Sequence, residues 1–230
     1  MKRLKDFYYG VAAGLLIGIG GTVFLSCENR YVGAVLFAVA LICICAKGYS
    51  LYTGKVGFMA FAHKKSDFAN LALCLGGNLI GTLAAGIAVR FALPAVGERA
   101  ALLCAAKLEQ SLPAALVRAI FCGILMYLAV AVYREKHTYI GILFCVPVFI
   151  LSGFEHSIAN MYYFFAAQAV SFQSGLYLLI VVIGNSLGGL LFPALAMLAG
   201  ENGQSTSETV QPLRDEQPQK ADKEEQIHVG

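Results

Sequence analysis

Two adjacent ionisable residues, Glu155 and His156, stand in the stretch Leu151-Ser152-Gly153-Phe154-Glu155-His156-Ser157-Ile158-Ala159, otherwise almost free of charge. An ionisable group inside a long apolar segment is costly unless it is paired, so such a residue is a functional candidate by default. Neighbouring residues on a helix point about 100° apart, so the two side chains cannot serve one surface. A neutral imidazole is cheap to bury and its charge can change near physiological pH. His156 is therefore assigned to a pore, and Glu155 to hydrogen bonds from a second segment or from backbone amides. The alternative is that both residues only stabilise a break in the helix.

The elements that must position this pair are membrane spans. Only 13% of the 230 residues are charged, against about 25% in an average soluble domain. Apolar runs of about 20 residues occur at 7–26, 31–62, 68–92, 114–133, 138–170 and 175–199. The expected fold is an all-α membrane protein of six transmembrane helices, with the second and fifth runs too long to be single straight helices. The first run exceeds the usual apolar core of a signal peptide and precedes five others, so it reads as a retained span. Lys2, Arg3, Lys5, Lys64, Lys65, Arg134 and Lys136 fall on one side of this topology, and Arg30, Arg99 and Lys107 on the other. That bias puts both termini in the cytoplasm. The expected domains are a channel-like unit over 1–199 and a disordered cytoplasmic tail over 200–230, rich in Gln, Glu and Ser.

The chain also repeats itself. Gly77-Asn78-Leu79-Ile80-Gly81 resembles Gly184-Asn185-Ser186-Leu187-Gly188, 107 residues later. Gly48-Tyr49-Ser50-Leu51-Tyr52-Thr53-Gly54-Lys55 lies 105 residues before Gly153-Phe154-Glu155-His156-Ser157-Ile158-Ala159-Asn160. Nearly equal offsets imply a duplicated three-span unit. An odd number of crossings turns the second copy upside down, giving an inverted repeat of three plus three. Broken helices at spans two and five would then line a path between the copies. Gly48, Gly54 and Gly57 can leave helical geometry there, and Ser50 or Thr53 can satisfy freed backbone groups. Gly-rich packing seams are the competing explanation, and they suffice for Gly10, Gly14, Gly18 and Gly21 in the first span. Asn78 and Asn185 are expected to bond backbone or loop groups. The seven cysteines are scattered through or beside the apolar runs without ligand spacing, so neither a metal nor a disulfide is expected.

With these residues in view, Gly153 to Met161 resembles the signature of the formate/nitrite transporter family. Leu51-Tyr52-Thr53-Gly54, Leu15 to Gly21 and Gly77 to Gly81 resemble its other conserved segments, and together they cover about residues 7–195. The resemblance implies an aquaporin-like homopentamer with one substrate path per subunit. It implies carriage of formate, nitrite or hydrosulfide across bacterial inner membranes, often with protons, and implies no cofactor and no nucleic acid partner. By position, His156 matches the family's central histidine, Thr53 its loop threonine and Lys107 its vestibule lysine. Leu51 and Tyr52 match one apolar constriction and Phe149 the other, with Phe37 and Leu41 added on an ungapped match. Glu155 and Asn160 join Asn78 and Asn185 as support for the broken helices.

One departure stands out. Sixteen residues after Lys107 the family has Asn within Cys-Asn-x-Leu-Val, where this chain has Cys122-Gly123-Ile124-Leu125-Met126. Loss of that amide favours a smaller, less polar substrate such as hydrosulfide. The first span also begins early, leaving little room for an amphipathic N-terminal helix. Other classes fare worse. A water or glycerol channel would carry two Asn-Pro-Ala loops and the chain has no Asn-Pro. An enzyme would need a nucleophile or metal constellation at the membrane face. A non-transporting structural or regulatory membrane protein remains the alternative of another class, distinguished by an absence of flux.

Overall fold

The computed structural model describes residues 2–61 and 64–200. The acidic tail from Glu201 onward, and with it the expected disorder there, lies outside the described residues.

All regular structure among the described residues is helical. The order is α1 (Lys2–Ser26), α2 (Arg30–Lys47), α3 (Tyr52–Lys55), a 3-10 turn (Val56–Phe61), α4 (Lys65–Ala92), α5 (Pro94–Leu108), α6 (Leu112–Lys136), α7 (Ile140–Leu151), α8 (Ser157–Ala166) and α9 (Phe172–Leu198). Five of these, α1, α2, α4, α6 and α9, are long and apolar enough to cross a membrane. The fifth apolar run of the sequence is divided between α7, of 12 residues, and α8, of 10. Many large apolar side chains, among them Ile19, Val35, Ile87, Phe144 and Leu179, point outward. That is the reverse of a soluble surface and the expected face toward lipid.

Two interruptions place the residues of interest. Helix α2 stops at Gly48, whose φ of 66° is left-handed, a conformation that glycine adopts without strain. Residues 49–51 are non-helical before α3 begins. In the second half Gly153, at φ 71°, follows α7, and residues 154–156 are non-helical before α8.

Each interruption leaves backbone groups inside the protein, and in each half one asparagine bonds an N–H and a C=O among them. Asn78 Oδ1 accepts from Tyr52 N at 2.9 Å, and its Nδ2 donates to Ser50 O at 2.8 Å and Gly10 O at 2.9 Å. Asn185 Oδ1 accepts from Ser157 N, and its Nδ2 donates to Glu155 O and Ala119 O, each at 2.8 Å. Both asparagines are completely buried, where every unmade bond would cost about 1–3 kcal/mol.

These bonds require α1 close to α4 and α6 close to α9. Small residues allow it: a Cβ on Gly14 would strike Asn78 O, and one on Gly123 would strike Asn185 O. Gly123 lies in the α6–α9 crossing, so its lack of a side chain also allows the two backbones to approach.

Candidate functional site

Non-helical residues before α8 present the two ionisable side chains to different surroundings. His156 caps α8: its Nδ1 accepts from Ala159 N at 3.1 Å, as N-cap side chains do for orphan amides. A nitrogen that accepts cannot carry a proton, so the ring's hydrogen is on Nε2. Nε2 lies 2.9 Å from Thr53 Oγ1, and His156 is therefore the donor in that bond. Thr53 is wholly buried, and no other partner for its Oγ1 is found among the described residues. The hydroxyl hydrogen of Thr53 thus remains to be donated. Two polar hydrogens, Nε2–H and Oγ1–H, meet between the first and second halves of the chain.

Apolar side chains flank this pair. Phe149 stacks on the His156 ring with centroids 5.5 Å apart and planes 23° apart, and Phe37 meets Phe149 edge-on at 6.1 Å. Leu41 and Leu51 line one small cavity, in which Phe149 takes no part, and both are buried. Leu51 is also the residue immediately before α3, the place that His156 occupies before α8. The Tyr52 hydroxyl is bonded to Ser186 Oγ on α9 at 2.8 Å, which anchors that side chain.

Glu155 sits in a second cluster. Its Oε2 is 2.5 Å from Lys107 Nζ and accepts from Asn160 Nδ2 at 2.8 Å, while Oε1 accepts from Gln110 Nε2 at 3.1 Å. This differs from the sequence expectation for Glu155, which receives side-chain donors and not the amides of the first-half interruption: Tyr52 N donates to Asn78 Oδ1 and Ser50 N to Tyr9 O. Lys107, which the resemblance matches to a vestibule lysine, is the partner of that carboxylate. It extends from the last turn of α5 into the ion pair, with its side chain 12% exposed and that of Glu155 2%. Such a pair leaves little net charge in the protein, while its exposed edge can still orient an anion.

Sequence reasoning did not single out Gln110, Asp6 or Arg134 as site residues. Gln110 carries no motif. The repeat could have pointed to Lys55 as the counterpart of Asn160, since the two share the 105-residue offset. Among the described residues no group of His, Cys, Asp and Glu could hold a metal.

The outward apolar faces, the five long helices and the buried polar pair between apolar side chains define an integral membrane protein built for passage of a small polar solute. The family model described as formate/nitrite transporter matches residues 1–199, and the chain belongs to that family. Its members are channels and transporters, not enzymes. The uncharacterized transporter YrhG of Bacillus subtilis is 32% identical over 188 residues, spanning 73% of this chain and 70% of the relative. The nitrite transporter NirC of Escherichia coli is 28% identical over 214 residues, spanning 84% and 80%. A solved pentameric formate channel with formate bound shares the fold at TM-score 0.70 and 24% identity, over 86% of this chain and 97% of that one.

Proposed function

We propose that the chain conducts formate or nitrite through its own centre, past the Thr53–His156 pair, as a homopentamer in a bacterial inner membrane. In this reading there are six crossings: α2 with α3 and the 3-10 turn form the second, α7 with α8 the fifth, and the second half is an inverted copy of the first. Both termini face the cytoplasm. The observation that carries the reading is the buried pair of donors, Nε2–H and Oγ1–H, 2.9 Å apart at their heavy atoms. An anion or acid with two adjacent oxygens can accept from both. Hydrosulfide, with one weakly accepting sulfur, uses the pair less well.

A bare anion entering an apolar constriction loses several kcal/mol or more of hydration, whereas its neutral acid loses far less. The anion gathers near the Lys107–Glu155 pair, takes up a solvated proton from the bulk on that side, passes the apolar residues as the weak acid, and releases the proton to the bulk on the far side. One proton accompanies one anion. His156 stays neutral and donates Nε2–H to a substrate oxygen in exchange for its bond to Thr53. A second ring proton, on Nδ1, would expel Ala159 N from the cap, so a transient imidazolium is disfavoured by the same bond that fixes the tautomer. Leu51 and Leu41 on one side and Phe149 and Phe37 on the other exclude water from the exchange.

The experiment is flux into proteoliposomes of formate, nitrite, hydrosulfide and chloride, each at two pH values. Formate and nitrite should enter faster than chloride, and faster at the lower pH. Flux indistinguishable from empty vesicles for all four would establish a non-transporting role.

A further inference from the structure

The 105-residue offset pairs Ser50 with Glu155 and Lys55 with Asn160, so each half holds a polar cluster beside its interruption. The charges are distributed differently. In the second half the loop supplies the acid and α5 the lysine. In the first half α3 supplies the lysine and α1 the acid: Lys55 Nζ is 2.6 Å from Asp6 Oδ1 and 2.8 Å from Ser50 Oγ, and Ser50 Oγ donates to Asp6 Oδ1 at 3.0 Å. The exposure differs as well. The Lys55 and Asp6 side chains are 34% and 22% exposed, against 12% and 2% for Lys107 and Glu155.

Beside this open cluster lies a cavity of about 130 Å³, lined by Tyr49, Leu51, Gly54, Lys55, Tyr133 and Arg134 among others. It ends on Leu51, two residues from Thr53. Two of its lining side chains are cations and none is an acid. Arg134 belongs to neither of the two ion pairs among the described residues. Its guanidinium carbon lies 3.9 Å over the Phe58 ring, a cation–π contact, and its N–H donors are the groups an oxyanion recognises. Two cations on a concave wall attract a small anion and raise its local concentration.

We propose that this cavity is an anion-collecting site at the mouth nearer the N-terminus, where Lys55 and Arg134 hold a small monovalent oxyanion outside Leu51. Asp6 is a positioning residue that competes with the anion for Lys55 and so sets the affinity. The proposal rests on the transport reading above, and it assigns the two mouths different devices: a shielded ion pair at one, and two partly open cations at the other.

The test is nitrite flux in oriented proteoliposomes, with half-saturation measured separately from each face. Arg134→Gln and Lys55→Gln should each raise the half-saturating concentration from the N-terminal face by roughly five- to tenfold, with the maximal rate within about twofold of wild type. Asp6→Asn should lower it by roughly two- to fivefold. The opposite face should be unaffected. A cluster that merely holds the fold would lose activity in all three variants and at both faces, and that result overturns the proposal, as does wild-type half-saturation in Arg134→Gln. If the wild type carries neither nitrite nor formate, the transport reading falls by itself. The site is then decided by formate proton NMR on the detergent-purified protein: broadening that Arg134→Gln abolishes supports it, and equal broadening overturns it.

Discussion

Replacing Lys107 by Met removes one member of an ion pair whose other member, Glu155, is 2% exposed. The carboxylate would keep the Asn160 and Gln110 amides but lose its only cationic partner among the described residues. Breaking a buried pair from one side costs about 3–5 kcal/mol. At about 2–4 °C per kcal/mol for a chain of this length, the apparent melting temperature in detergent should fall by roughly 6–20 °C. Tyrosine fluorescence suits the assay, because the chain has 11 Tyr and no Trp. The double replacement Lys107→Met with Glu155→Gln leaves an amide cluster without charge and should recover most of the loss, giving a coupling energy of about 2–3 kcal/mol. A single variant melting within about 1 °C of wild type would refute the reasoning, since exposed pairs contribute only about 0–1 kcal/mol. So would a double variant no more stable than the single one.

Three further outcomes follow from the geometry. Thr53→Val deletes both the acceptor for His156 and the free hydroxyl, and should lower nitrite flux at least tenfold, whereas Thr53→Ser should retain it; stopped-flow uptake into vesicles reads both. Asn185→Ala removes the partner of Ser157 N and of the Glu155 carbonyl, and a second bond to the helical carbonyl of Ala119, at about 1–3 kcal/mol for each group left unpaired, and should lower the melting temperature more than any loss of side-chain volume explains. Gly123→Asn should destabilise by about 1–3 kcal/mol or more through α6–α9 overpacking, without turning the protein toward formate; melting and a flux panel separate the two effects.

Apolar length made the helical architecture readable, because crossing a bilayer demands runs that no soluble core requires. Subdivision of the fifth run was harder to place, since Ile140–Leu151 and Ser157–Ala166 are both apolar enough to continue one helix. Gly48 marked the first interruption because a glycine's backbone freedom is a local signal, whereas Gly153 was noted only as part of the repeat and of the signature segment. The Thr53–His156 contact spans 103 residues, and only the family resemblance suggested that the two act together. Partners of Glu155 were misassigned for the same reason: Lys107 and Gln110 come from another element, and nothing in their neighbourhood signals the contact. The cluster of Asp6, Ser50 and Lys55 escaped notice because Asp6 lies 44 and 49 residues from its partners and on another helix. Gly123 was read only as a lost amide because a sequence records the missing side chain and not the carbonyl that occupies its place.

The most direct measurement is the initial rate of nitrite entry into proteoliposomes for wild type, His156→Ala and His156→Gln, each at two pH values. His156→Ala removes both the cap of α8 and the Nε2–H donor, and its rate should fall at least tenfold. His156→Gln can supply an N–H donor or a cap acceptor, and should keep part of the rate with the wild-type dependence on pH. Entry by His156→Ala at the full wild-type rate, with unchanged pH dependence, would contradict the role assigned to His156.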